Sequence, residues 1–292
     1  MALNPLTRRG LIAGIGGATI GATLDKPAAT PRRPALSPRR WAVDYGPATD
    51  PPLARRYDLL VLEPHHPRGL APLRGPGATL LGYISLGQVD RSRPYHAELD
   101  RAGALRAAHP DWPDARQVDL RHPAWRRLLI ERAIPAILAE GYDGIFIDTL
   151  DDAEAMERGE ADAKGMIAAG AALVLAIRAA FPAMRIMVNR GYALLPDVAG
   201  AIDAVLGEAM ASRWNFAANR YEPTSASDRL WQADRLRAAR RINPALVLAT
   251  LDYWDPADPA AVAALYREER AQGFLPYVST LALDRLWPEP AA

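Results

Sequence analysis

The sequence predicts an α/β fold, a closed (β/α)8 barrel in one large domain. Three observations point there. Short apolar runs recur, and each stops at a polar residue. Stretches with helical apolar spacing lie between most of them. The chain has 292 residues, half of them hydrophobic, and a barrel of this kind needs about 250.

In chain order, the run 41–43 stops at Asp44 and Tyr45, 59–62 at Glu63, and 79–84 at Ser85. The run 143–147 stops at Asp148, 185–188 at Asn189, and 202–207 at Glu208. The last two are 246–251, before Asp252, and 274–278, before Ser279. Runs this short and apolar suit strands covered on both faces, as in a parallel sheet. Residues 123–140 put Leu128, Leu129, Ile134, Ile137 and Leu138 on one helical stripe, and 161–181, 227–241 and 259–272 read alike. His122-Pro123 and Asp258-Pro259 mark helix starts, while Gly141 and Gly273 mark helix ends. The wide gap between Ser85 and Asp143 is expected to hold an extra helix near 97–108 and an extended piece at 116–120. Alternating strands and helices imply a parallel sheet, and eight such units close it.

The formal net charge is +1, so no global basic field attracts nucleic acid. Without Cys, no disulfide or thiolate metal site can form. Thr7-Arg8-Arg9-Gly10-Leu11-Ile12 is a twin-arginine pattern, followed by a mildly apolar run. Residues 1–29 are read as a twin-arginine signal peptide, 30–40 as a Pro/Arg-rich linker and 41–288 as the barrel domain. This reading implies export, to the periplasm or beyond, with no membrane contact in the mature form. A basic tail is the plainer reading of the same stretch.

A carboxylate at the end of a buried strand is costly unless it is paired or used. Asp148 and Glu208 both end strands, which in a barrel puts them on one rim. Two carboxylates across a pocket can cleave a glycosidic bond, one ionised and one protonated. The structural alternative is an ion pair with Arg190 or Arg213. Aromatic residues follow several strand ends, and their planes stack on the apolar faces of sugar rings. The candidate substrate-binding residues are Asp44, Tyr45, Tyr83, Asp151, Asn189, Tyr192, Asp252 and Tyr253. Among the aromatics, Tyr45, Tyr192 and Tyr253 follow strand ends most directly; Trp214, Tyr221 and Trp254 are further candidates. Asp151 and Asp152 suit the ammonium of an amino sugar, or the cap of a following helix. His65-His66 point apart in an extended chain and match no metal spacing, so neither metal nor cofactor is expected.

These segments resemble the endo-α-1,4-polygalactosaminidase family, glycoside hydrolase family 114, which has a TIM-barrel fold. The resemblance runs through Trp41-Ala-Val-Asp-Tyr45, Gly82-Tyr-Ile-Ser-Leu-Gly87, Val118-Asp119-Leu120 with Pro123-Ala-Trp125, and Gly141-Tyr-Asp-Gly-Ile-Phe-Ile-Asp148. It continues through Val188-Asn189-Arg190-Gly191, the strand ending in Glu208, Leu251-Asp-Tyr253 and Gly273-Phe-Leu-Pro-Tyr277. It implies that Asp148 and Glu208 are the paired catalytic acids. One departure bears on the substrate: Gln88 stands where the family commonly has Glu, which removes a charge.

The expected function is therefore hydrolysis of an α-linked amino-sugar polymer, with Asp148 as nucleophile or charge stabiliser and Glu208 as general acid/base. Two other readings stay open. One is a non-catalytic carbohydrate-binding barrel. The other is a Mg²⁺-dependent lyase or isomerase using Asp148, Glu208 and Asp252.

Overall fold

The structure is a computed structural model and describes residues 34–108 and 113–290. The predicted signal, 1–29, and the start of the linker lie outside the described residues. In chain order the strands are β1 (Trp41–Asp44), β2 (Leu59–Leu62), β3 (Thr79–Ser85), β4 (Gln88–Asp90), β5 (Leu105–Ala108), β6 (Ala115–Val118) and β7 (Gly144–Asp148). They continue as β8 (Arg185–Asn189), β9 (Ala204–Glu208), β10 (Ser212–Asn215), β11 (Arg220–Pro223), β12 (Val247–Tyr253) and β13 (Leu275–Ser279).

Eight of these form one parallel sheet in the order β1-β2-β3-β7-β8-β9-β12-β13. They are the eight strands expected from sequence, with ends shifted by a residue or two. β2 is buried at every position, because helices or loops cover its outer face and the barrel interior its inner one. The two ends of the order, β1 and β13, lie against each other. Other bonds join them. Trp41 Nε1 donates to the Leu275 carbonyl at 2.8 Å, and the Tyr45 N–H to the Leu283 carbonyl at 2.7 Å. Past the last strand, the Tyr57 hydroxyl donates to the Trp287 carbonyl at 2.5 Å, and the Trp287 N–H to the Tyr277 hydroxyl at 3.0 Å.

The helices are less regular than the strands. They are α1 (Pro51–Ala54), α2 (His96–Arg101), α3 (Pro123–Leu128), α4 (Ile134–Ala139), α5 (Asp152–Gly159), α6 (Met166–Ala180), α7 (Leu195–Val198), α8 (Ala226–Ile242) and α9 (Pro259–Ala271). α3 and α4 are one continuous helix interrupted by a π turn, Leu129–Ala133. Pro135 lacks an N–H and would crowd the carbonyl four residues back, and a wider turn just before it accommodates the ring. α3, α8 and α9 are capped by His122, Ser225 and Asp258, which accept from backbone N–H groups in the first turn. Gly141 and Gly273 end their helices at φ +99° and +82°.

Two expectations need correction. Residues 97–108 are not one helix. α2 is short, Gly103 turns the chain at φ +71°, and Leu105–Ala108 pairs as β5 in a side sheet ordered β4-β6-β5. Pairing with β6 overrides the helix preference of Leu and Ala there. Residues 161–181 begin as turns, and α6 starts only after Gly165; an extra helix, α5, precedes it. The β10–β11 hairpin was not expected.

Candidate active site

Three adjacent strands carry the centre of the site: β7 ends at Asp148, β8 at Asn189 and β9 at Glu208. Side chains alternate faces along a strand. Phe146 packs against Tyr83 with ring centroids 6.3 Å apart, so Asp148, two residues on, shares that inward face.

The chain leaves each of these strands through a left-handed residue that is not glycine: Thr149 (φ 62°), Arg190 (φ 51°) and Ala209 (φ 53°). Such a conformation costs about 1–3 kcal/mol and persists where its surroundings impose it. Hydrogen bonds impose it here. The Arg190 N–H donates to the Leu206 carbonyl at 2.9 Å and the Ala209 N–H to the Leu251 carbonyl at 2.8 Å. The Thr149 N–H donates to Asp148 Oδ1 at 2.8 Å. A Cβ on residue 87 would lie 2.1 Å from the Thr149 carbonyl oxygen, so only Gly87 admits this turn.

Asn189 joins the two acids. Its Nδ2 donates to Asp148 Oδ1 at 2.9 Å and to Glu208 Oε2 at 2.6 Å. Two oxygens bonded to one nitrogen at these lengths are at most 5.5 Å apart. Two phenols hold the outer oxygens: Tyr83 donates to Asp148 Oδ2 at 3.0 Å, and Tyr253 to Glu208 Oε1 at 2.5 Å. Burial and the adjacent carboxylates push both phenols well above their ordinary range, so they remain donors. Burial first, and Glu208 second, push the Asp148 carboxyl up to about 6, against the pull of the Asn189 and Thr149 bonds.

These groups floor a cavity of about 1200 Å³ at the C-terminal rim of the barrel. It exceeds the roughly 300–1,000 Å³ of ordinary small-ligand sites. Tyr45, Gln88, Asp151, Asp152 and Trp214 also line it. Asp151 lies 3.4 Å from the Arg190 guanidinium and makes no helix cap. Asp152 is buried in the first turn of α5, where Gln88 Nε2 donates to its Oδ2 at 2.7 Å. Burial pushes Asp152 up to about 7 despite that bond.

Three expected binding residues do not reach the cavity. Asp44 adjoins Tyr45, and Asp252 adjoins Tyr253; neighbours in extended chain face opposite ways. The tyrosines take the cavity and the aspartates turn outward, fully buried. Asp44 accepts from the Gly46 N–H at 2.8 Å and the Thr49 hydroxyl at 2.7 Å, and His66 joins that network through Thr49. Asp252 Oδ1 accepts from the N–H groups of Ala211 and Ser212 at 2.6 and 2.8 Å, fixing the loop beyond Glu208. Tyr192 is carried outward past the Arg190 turn. Its hydroxyl donates to Gln232 Oε1 at 2.6 Å and its ring packs perpendicular to Trp231.

The alternative pairings dissolve on the same geometry. Arg213 pairs with Glu222 and Arg190 with Asp151, so neither acid is taken up in an ion pair with these arginines. With Asp252 facing away, the three-carboxylate Mg²⁺ site is not assembled. Among the described residues, no group of three or more His, Asp or Glu side chains is arranged to hold a metal.

The sequence matches the model of glycoside-hydrolase family GH114 over residues 22–290. The chain belongs to this family. It is a glycoside hydrolase, and its substrate is a carbohydrate. The chain is 31% identical to the glycoside hydrolase domain of PelA from Pseudomonas aeruginosa, with a TM-score of 0.75, covering 87% of this chain and 99% of that one. An uncharacterized protein of Deinococcus radiodurans is 27% identical over 249 residues, 79% of this chain and 75% of its own length. Aspergillus fumigatus Ega3, in complex with galactosamine, shares the fold at a TM-score of 0.62 and 12% identity, over 88% of this chain and 96% of that one. Among the described residues, no helix is long and apolar enough to cross a membrane.

Proposed function

We propose that this GH114 enzyme hydrolyses α-1,4-linked galactosamine polymers by a two-step, retaining mechanism on Asp148 and Glu208. The carrying observation is the shared Asn189 amide, which keeps the nearest carboxylate oxygens within 5.5 Å. Two carboxyl groups held on one nitrogen leave little room for the intervening water that an inverting pair, about 6.5–9.5 Å apart, requires, and this favours retention.

In the first step Asp148 attacks the anomeric carbon and forms a glycosyl ester, while Glu208 protonates the departing oxygen. In the second, Glu208 takes a proton from water, water attacks the same carbon, and Asp148 leaves. Asp148 accepts from Tyr83, Asn189 and the Thr149 N–H, which favours its ionised form. With its carboxyl near 6 it is mostly ionised at neutral pH. Asn189 Oδ1 is buried and has no partner among the described residues, so the amide serves the acids through its Nδ2 alone.

The amino-sugar part of the reading rests on charge. Five carboxyl groups, Asp90, Asp148, Asp151, Asp152 and Glu208, line the cavity against three arginines. Asp151 offsets Arg190, while Glu63 and Glu98, outside the lining, offset Arg93 and Arg132. An acidic cavity attracts an ammonium-bearing chain. The galactosamine held by the structurally similar Aspergillus protein agrees with it.

Incubation with purified α-1,4-galactosaminan, followed by proton NMR of the new reducing ends, tests both parts. The first-formed anomer is expected to be α. A β anomer first would overturn the retaining mechanism. No new reducing ends at any degree of acetylation would overturn the substrate.

A further inference from the structure

The cavity does not end at the acids. Strand β9 runs from Glu208 through Ala209 into the β10–β11 hairpin, which stands at the rim. Trp214 and Tyr221 are paired across this hairpin, so their rings share one face, 4.8 Å apart and inclined at 71°. That face lines the cavity. Arg213 and Glu222, one residue out of phase, pair on the other face. Trp254, from the loop after β12, lies outside the cavity lining and extends the row beyond it: its ring lies 6.4 Å from that of Tyr221, tilted by 33°.

Two features separate this row from ordinary packing. Trp214 and Trp254 are only half-buried and take no place in the hydrophobic core. Phe216, at the hairpin tip, is 68% exposed. The hairpin base, by contrast, is held firmly. Asp252 Oδ1 binds the N–H groups of Ala211 and Ser212, and Thr224 bonds the carbonyls of Ala209 and Ala211 at 2.9 Å. The aromatic row therefore stands at a fixed distance from the Glu208 carboxyl, as a preorganised subsite requires.

We propose that the Trp214–Tyr221 face, continued by Trp254, is a binding platform for sugar residues of the polymer beyond the one held at the acids. The proposal rests on the hydrolase reading above. Aromatic planes stack on the C–H faces of pyranose rings. This contact does not depend on the charge at the amino group, so the platform grips free and acetylated residues alike. Selection by charge is left to the acidic floor.

The test is chain-length dependence. In the native enzyme kcat/KM is expected to rise from the shortest cleavable oligosaccharide to a long one. In Trp214→Ala and in Trp254→Ala that rise should shrink, the long substrate losing about 10-fold more than the short one. Trp214→Phe should recover most of it. Equal losses on short and long substrates in both alanine variants, or none in either, would overturn the platform. Should the native enzyme cleave no length at all, the hydrolase reading fails instead, and binding decides separately. Glu208→Gln protein should then bind long galactosaminan oligomers about 10-fold more tightly than Trp214→Ala/Glu208→Gln protein does. Equal affinity would remove the platform.

Discussion

Asp148 and Glu208 meet on a single donor, the Nδ2 of Asn189, at 2.9 and 2.6 Å. The bridge holds the two carboxyl groups close while satisfying one oxygen of each. Each carboxyl group has one further side-chain donor of its own, Tyr83 for Asp148 and Tyr253 for Glu208.

Asp148→Asn and Glu208→Gln preserve shape and should fold with an unchanged circular dichroism spectrum. Each should lose at least ~10²-fold in turnover, the usual worth of a positioned acid or base. Azide separates the roles. With an aryl α-glycoside, Asp148→Ala should release a β-glycosyl azide and Glu208→Ala an α-glycosyl azide. The reverse pattern would exchange the two assignments.

The acid limb of the kcat/KM profile should fall near pH 6. Asp148 works ionised, and its carboxyl is raised to about 6, so activity is present above that value and lost as pH drops through it. Asn189→Ala removes a bond that favours the ionised form, so the limb should move to higher pH. A limb left in place would mean that another group sets it.

Tyr192 and Tyr253 should respond oppositely. Tyr253→Phe keeps the ring and deletes the donor to Glu208, so kcat should drop about 10-fold with little change in melting temperature. Tyr192→Ala empties a buried site beside α8 and should cost about 3–5 kcal/mol of stability, with KM of the surviving enzyme unchanged. Oligosaccharide kinetics and thermal melts on the same preparations check both.

Ala209→Gly should relieve the left-handed backbone after Glu208 and stabilise the fold by roughly 0.5–1 kcal/mol. The relaxed turn would hold Glu208 less firmly, so kcat should fall as the melting temperature rises. A variant gaining both would show that the strain does nothing for catalysis.

Export is proposed from Arg8-Arg9 alone, residues outside the described structure. Replacing both with Lys should leave precursor in the cytoplasm. Fractionation showing normal release of the Lys pair variant would make the segment a basic tail.

The strands were legible because a buried apolar run ending in a carboxylate reads the same in any sheet. Alternation is legible too. Tyr45 and Tyr253 cannot share the cavity face with Asp44 and Asp252, and counting in twos along β12 separates them. The left-handed exits were not legible. Thr149, Arg190 and Ala209 are residue types that avoid positive φ; bonds to neighbouring strands hold Arg190 and Ala209 there, and the Asp148 carboxyl holds Thr149. At 97–108 the helical spacing is overridden by pairing of β5 with β6, the next strand in the chain. The hairpin left one faint signal, Trp214 and Tyr221 placed symmetrically about a turn framed by Asn215 and Asn219. Strands of four residues lie below what periodicity resolves.

The join between β1 and β13 has a consequence in time. β1 is among the first parts of the barrel to be synthesised, yet its partners across the join are Leu275, Leu283 and, through Tyr57, Trp287. The ribosome must therefore deliver almost the whole chain before the ring can shut. Until then the nascent protein carries an open edge at β1, and finally at β13 as well, the surfaces most prone to pair with a neighbouring copy. Chaperone dependence during synthesis should concentrate on these two strands.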